Sequence, residues 1–240
     1  MILQNIKQAI KRYIFPNTYC LDAYLSYLRK SGVVLGKDVT IYAPNHVYID
    51  TRKPYLISIG DNCKITQNVT ILAHDYGVSV PRRVYGKFVG GSLPVTIGKN
   101  VFIGMNAIIL KGTSIGDNCI IGANSVVKGD FPSGSVIAGN PAKVISTLEN
   151  YYKKNLDNWV DDAKKCAKAI YRNSGRLPTI EEMSDGYAWL YLERTKENIE
   201  KYDYFFKLSS DDYDDVVKEF LGMKPIYSSF EDFLKDCDLC

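Results

Sequence analysis

The 240-residue sequence predicts a mainly β protein: a parallel β-helix of three-sided coils, with an N-terminal helix and a C-terminal α-helical appendage. Three observations predict it. Branched aliphatic residues recur in a six-residue register at Leu35, Ile41, Ile59, Ile65, Ile71, Ile97, Ile103, Ile109, Ile115 and Ile121. Asn or Asp follows three places later in most units, at Asp38, Asn62, Asn68, Asn100, Asn106, Asn118 and Asn124. Beyond Ile145 the spacing turns helical in "LENYYKKNLDNWVDDAKKCAKAIY". The expected organisation is a helical cap over residues 1–30, a β-helix over 31–147 interrupted by a loop at 75–96, and a helical extension over 148–240.

The opening "MILQNIKQAIKRYIF" sets Ile2, Leu3, Ile6 and Ile10 among Lys7, Lys11 and Arg12, which predicts a short amphipathic helix. It lacks the apolar run of a signal peptide. No segment reaches the roughly 18 apolar residues of a membrane span. The helix is expected to cover the end of the β-helix, with membrane contact at most peripheral and a cytoplasmic location. Residues 1–150 hold 16 Lys and Arg against 8 Asp and Glu, whereas residues 151–240 hold 14 against 19. A basic body suits an anionic, phosphorylated small molecule. Its charge forms no dense stripe, so nucleic acid is not an expected partner. Six cysteines without a secretory signal predict free thiols. Cys63 and Cys119 fall at small, inward positions of the repeat, and Cys237 with Cys240 has CxxC spacing without a second pair or a nearby His.

A period of six fits neither an amphipathic helix near 3.6 nor a strand alternating at two. It fits a short strand and a corner. The aliphatic points inward, and the Asn or Asp takes the left-handed backbone that a corner needs. Gly at the second position, as in Gly60, Gly98 and Gly116, is expected to permit the same tight geometry. Three such sides close a coil, and coils stack at about 4.8 Å. The 24 residues from Leu35 to Ile59 are a multiple of six, so the register is expected to persist through "VYIDTRKPYLIS".

The stretch "IGDNCIIGANSVVKGDFPSGSVIAGNPAKVI" resembles the hexapeptide-repeat acyltransferases, over about residues 28–146. That resemblance implies a left-handed β-helix, a handedness opposed to the usual crossover rule. It also implies a homotrimer, with coenzyme A lying outside the coils at a cleft between subunits. By position it assigns Gly104, Met105 and Ala123 to the pantetheine path and Lys143 of "GNPAK" to phosphate. Lys128 stands one residue before the lysine of a common Thr-Lys pair and is a further cofactor candidate.

The register breaks at "ILAHDYGVSVPRRVYGKFVGGSLPVTIG", and His74 stands at the break. Long excursions from a compact scaffold are usually functional. With only two histidines, one subunit cannot build a three-His zinc site, which argues against a carbonic-anhydrase reading; no metal is expected. His46 reads as a surface or corner residue. In the resembled family a histidine at this threshold is the catalytic base, and "HD" looks like the polysaccharide O-acetyltransferase branch. Imidazole as a residue type suits the role, because it takes up protons near neutrality. Asp75 either holds the imidazole tautomer or turns the chain. Arg82, Arg83 and Tyr85 of the loop are candidates for contact with an acceptor sugar or its diphosphate, or they solubilise the loop.

In the extension, Gly175 reads as a helix stop, and "TIEE" (Thr179 to Glu182) and "SFED" (Ser229 to Asp232) read as capping boxes. Its aromatics suit a core first and a sugar surface second. The expected function is an acetyl-CoA-dependent O-acetyltransferase acting on a saccharide of surface-polysaccharide biosynthesis, with His74 as general base. A xenobiotic O-acetyltransferase and a non-catalytic glycan-binding scaffold are the alternatives; the partners are a small-molecule or glycan acceptor and two further copies of the chain.

Overall fold

The computed structural model describes residues 10–183, 186–207 and 213–239. Residues 1–9, most of the expected amphipathic helix, lie outside that range, as does Cys240. The chain divides into two compact units, residues 1–151 and 152–240.

In the first unit, residues 10–14 are helical and α1 (Leu21–Ser31) follows. Tyr24, Leu25 and Leu28 are buried in one core with the β-helix, and the Tyr24 hydroxyl donates to Val47 O at 2.9 Å. Residues 21–31 therefore make the described contact with the end of the coils. β1 (Val34–Leu35), β2 (Thr40–Ile41) and β3 (Tyr48–Ile49) form the three sides of the first coil. The second is β4 (Ile57–Ile59), β5 (Lys64–Ile65) and β6 (Thr70–Ile71). The third is β7 (Val95–Ile97), β8 (Phe102–Ile103) and β9 (Ile108–Ile109), and the fourth β10 (Thr113–Ile115), β11 (Ile120–Ile121) and β12 (Val126–Val127). β13 (Asp130–Phe131), β14 (Ser135–Gly139) and β15 (Ala142–Thr147) finish the stack. The sides form parallel sheets ordered β1-β4-β7-β10-β13, β2-β5-β8-β11-β14 and β3-β6-β9-β12, and β15 turns back antiparallel on β14.

Equivalent aliphatics stack directly, as Ile59 on Ile97 and Ile65 on Ile103. Ile59, Ile65, Ile71, Ile97, Ile103, Ile109 and Ile121 are buried, each contributing about 1.5–3 kcal/mol. All seven predicted corner residues, from Asp38 to Asn124, have φ between 52° and 61°. Asn tolerates this backbone because its short polar side chain bonds locally. Asn68 Nδ2 donates to Asn106 Oδ1 at 3.0 Å and Asn100 Nδ2 to Asn118 Oδ1 at 2.9 Å, linking successive coils.

Two expectations need correction. Gly60, Gly98 and Gly104 are not left-handed; they stand where the next coil approaches too closely for a side chain. A Cβ on Gly60 would lie 2.6 Å from Gly98 C, and one on Gly98 would lie 2.7 Å from Gly116 C. The six-residue register also does not run through the first coil. Its inward positions are Leu35, Ile41 and Ile49, paired with Ile59, Ile65 and Ile71, so the steps from Ile41 to Ile49 and on to Ile59 are eight and ten residues. Short 3-10 turns at Pro44–His46 and Pro54–Leu56 take up the extra chain. The total of 24 survives by coincidence of two insertions.

The expected loop leaves the coil after Ala73 and rejoins it at Val95, slightly before the expected end, because Val95 is already an inward residue of β7. It is not wholly irregular. It carries α2 (Ser79–Tyr85), closed by Gly86 at φ 83°.

In the second unit, α3 (Leu148–Ser174), which begins in the first, ends at Gly175 with φ 70°, as expected of a stop. α4 (Lys196–Lys201), α5 (Asp203–Lys207), α6 (Tyr213–Gly222) and α7 (Phe230–Asp236) follow, around a core that includes Tyr191, Phe206, Phe220 and Phe233. Ser229 caps α7 by accepting from Asp232 N at 3.1 Å. Thr179 and Glu182 exchange the bonds of a capping box, at 3.0 and 3.3 Å, but close a turn over residues 180–183. No helix among the described residues is long and apolar enough to cross a membrane.

Candidate active site

Three corners join the three sides. The third corner, between β3, β6, β9, β12 and the first sheet, collects chemistry from four successive coils: Asp50, His74, Lys111 and Lys128. His74 directly follows the last inward residue of its coil, Ala73, and its side chain keeps 27% exposure, while Asp50 one coil below is completely buried. His74 Nδ1 is hydrogen-bonded to Asp50 Oδ2. The same carboxylate accepts Arg52 N–H at 3.0 Å and Ala73 N–H at 3.2 Å.

Burial by itself would raise the Asp50 carboxyl, but the bond from His74 and those from the two backbone amides hold it below the usual carboxylate range. An ionised carboxylate only accepts. Nδ1–H is therefore the donor in this bond, and in the neutral ring Nε2 holds the lone pair. The site thus presents an imidazole whose tautomer is set from inside the coil and whose basic nitrogen is the one not committed to Asp50.

Asp75 does not hold that ring. Its carboxylate pairs with Lys111 Nζ at 2.5 Å and accepts Gly77 N–H at 2.9 Å, and these partners, with the charge of Lys128, keep it below its ordinary range. Of the two sequence alternatives, the structure places Asp75 in the turn. Lys111 Nζ also donates to Gly91 O at 2.7 Å, so a single ammonium ties both ends of the excursion to the coil above His74. Leu93 N donates to Ala73 O at 3.0 Å beside it.

Sequence reasoning missed Asp50 and Lys111. Asp50 directly follows Ile49, where the first coil departs from the six-residue template, so alignment by period hides it. The available signal was an acidic residue directly after an inward aliphatic, one coil before the histidine. Lys111 stands at the third corner of a regular coil, directly before Gly112, and carries no motif.

The cofactor candidates divide between corners. Gly104, Met105 and Ala123 lie on the second corner, in the third and fourth coils. Asn124 N donates to Met105 O at 2.8 Å, and a Cβ on Gly104 would lie 2.6 Å from Ala123 N. Lys143 joins them, because it pairs with Ala138, which stacks over Gly122 at that corner. The peptide bond Asn140–Pro141 of the same motif is cis. Lys128 instead stands on the third corner with His74. Arg82, Arg83 and Tyr85 all lie on α2, exposed to solvent, with Tyr85 at 80%. His46 is exposed on the first coil. Among the described residues no group of three His, Cys, Asp or Glu side chains is placed to hold a metal ion. Cys63 and Cys119 are buried free thiols, and burial pushes the Cys63 thiol up.

A family model described as hexapeptide repeat of succinyl-transferase matches residues 94–128. Protein CapG of Staphylococcus aureus is 42% identical over 138 residues, which cover 58% of this chain and 78% of that protein. The chain belongs to the hexapeptide-repeat acetyltransferases. Two further members of the family extend the comparison. The galactoside O-acetyltransferase of Escherichia coli strain K12 is 41% identical over 105 residues, covering 42% of this chain and 51% of that protein. The putative lipopolysaccharide biosynthesis O-acetyl transferase WbbJ of the same strain is 34% identical over 128 residues, covering 49% of this chain and 65% of that protein. This hexapeptide-repeat chain therefore spans from about half to nearly four fifths of these relatives.

Proposed function

We propose that the protein is an acetyl-CoA-dependent O-acetyltransferase that esterifies a hydroxyl of a saccharide used in surface-polysaccharide biosynthesis. The observation that carries the reading is the Asp50–His74 pair: a buried, ionised carboxylate fixes Nδ1–H and leaves Nε2 as base at the mouth of the excursion. The saccharide class is supported by relatives named as a galactoside O-acetyltransferase and as a putative O-acetyl transferase of lipopolysaccharide biosynthesis.

The second corner has the features needed to take the pantetheine of coenzyme A. Met105 and Ala123 are exposed in successive coils, the missing side chain of Gly104 lets those coils stack closely at this edge, and Lys143 supplies an exposed cation at the top for phosphate. Bound acetyl-CoA supplies an acetyl group on a sulfur that departs readily. His74 Nε2 takes the acceptor hydroxyl's proton as that oxygen bonds to the acetyl carbon. Asp50 holds the resulting imidazolium, as the carboxylate does in triad logic. Corner backbone N–H groups are the donors available to the oxyanion. His74 returns the proton to the departing sulfur, so the ring ends neutral and the products are an ester and a thiol. In this reading Lys128, on the corner of His74, meets an anionic group of either substrate, and the exposed α2 side chains Arg82, Arg83 and Tyr85 meet the acceptor.

His74 and the Gly104–Ala123 edge stand on two different corners of one side. A closed ring of three copies brings one copy's base toward another's edge, which is the role of the homotrimer in this reading.

Mass spectrometry of products after incubation with acetyl-CoA and a panel of nucleotide sugars, glycans and hydroxylated xenobiotics tests the proposal. A saccharide gaining one acetyl group is the expected result. Acetylation of a xenobiotic alone would overturn the saccharide assignment, and no transfer to any acceptor would overturn the activity.

A further inference from the structure

The aromatic side chains of the 152–240 unit fall into two groups. Tyr191, Phe206, Phe220 and Phe233 are buried and serve as core. Trp159 and Trp189, the two tryptophans of the whole chain, are only partly buried. Both line one open cavity of about 320 Å³, with Tyr152, Asn155, Leu156 and Met223. Tyr152, Asn155, Leu156 and Trp159 are one stripe of α3, spaced three and four apart.

The opposite wall is braced. Trp189 meets Phe220 edge-on with ring centres 5.4 Å apart, and its carbonyl accepts Arg194 Nη2 at 2.7 Å. The Arg194 guanidinium lies 4.0 Å from the centre of the Phe220 ring. Trp159 and Trp189 pack against that core and also line the surface cavity, so part of each side chain stays accessible.

We propose that this cavity is a saccharide-binding subsite. Trp and Tyr present rigid, flat apolar faces with little rotamer entropy to lose, which suits the C–H face of a sugar ring. The volume is at the lower end of ligand cavities, about 300–1,000 Å³, and fits a body the size of one or two rings. One wall is open, so the ring's hydroxyls stay in water, whereas an acyl or prenyl chain gains most from an enclosed slot. Asn155 supplies both a donor and an acceptor on the same stripe, and its amide has no hydrogen-bond partner among the described residues. The saccharide class rests on the acceptor assigned above, while the cavity and its lining stand apart from it. A subsite on the same chain raises the effective concentration of any polymer long enough to reach both sites.

The tryptophans make the test direct, because the full-length protein's indole fluorescence comes from this cavity alone. Titration with neutral and acidic hexose oligosaccharides is expected to give a saturable emission shift with at least one of them. Asn155→Ala is expected to weaken that response about fivefold, the loss of one hydrogen bond, and Tyr152→Ala to weaken it too, with acetyl transfer to a monosaccharide unchanged in both. An unresponsive spectrum with every oligosaccharide, a shift with decanoate only, or a shift produced by diluting the protein alone would overturn the subsite. A saccharide response in a protein that acetylates no saccharide would support the subsite and sink the acceptor assignment; saccharide acetylation with silent tryptophans would do the reverse.

Discussion

Asp50 reaches the Nδ1 of His74 from a coil earlier in the chain, and the chemistry of the site follows from that one contact. His74→Ala is expected to lower acetyl transfer by about 10²–10⁴-fold while leaving coenzyme A affinity nearly unchanged, since a general base acts chiefly in the transition state. Turnover measured beside calorimetric binding checks it; unchanged turnover would remove the mechanism. Asp50→Asn keeps the shape and removes the charge. Because the folded carboxyl lies below its ordinary value, its ionisation stabilises the fold fully above the unfolded-state value near 4, and that stabilisation is lost as pH falls through the folded value. Thermal unfolding should find Asp50→Asn less stable than wild type at pH 7, with the gap starting to narrow only below about pH 4 and closing as pH falls through the folded value. A gap that persists undiminished in acid would show that shape, and not charge, is what the variant loses.

Among the elements, the 74–94 excursion depends on very few ties to the coils. Lys111 makes two of them, to Asp75 and to Gly91 O. Lys111→Met is expected to speed tryptic cleavage at Arg82 and Arg83 severalfold, while the coils lose only about 1 kcal/mol from a half-buried ion pair at the surface. Limited proteolysis timed against thermal unfolding separates the two effects, and equal cleavage rates would show that α2 is held by something other than this lysine. The seven Asn and Asp corners were legible because a six-residue period and a residue that tolerates φ near 57° coincide in the chain. The second-position glycines were legible as glycines but not for their reason, which is the approach of Gly98 to Gly116 in the next coil.

For the whole molecule, the second corner gathers Gly104, Met105, Ala123 and Lys143, and the third gathers Asp50, His74, Lys111 and Lys128. In the proposed reading, a site that draws on both corners is shared between copies. Native mass spectrometry is expected to find three times the mass of the chain, and mixing inactive His74→Ala with an inactive variant of the exposed edge, Ala123→Trp, should restore part of the activity in hybrid rings. A monomeric enzyme with full turnover would overturn the shared site.

By itself the sequence determined the repeat, its corners, the break at His74, the stop at Gly175 and the cap at Ser229, because each is a local rule acting within a few residues. Only the tertiary structure decided that Asp50 and not Asp75 holds the ring, that Lys128 stands apart from the other cofactor candidates, and that the first coil reaches its 24 residues through two insertions. Those facts depend on which coil stacks on which. Contacts between residues more than 20 positions apart are set by burial and register, which no short stretch of sequence records.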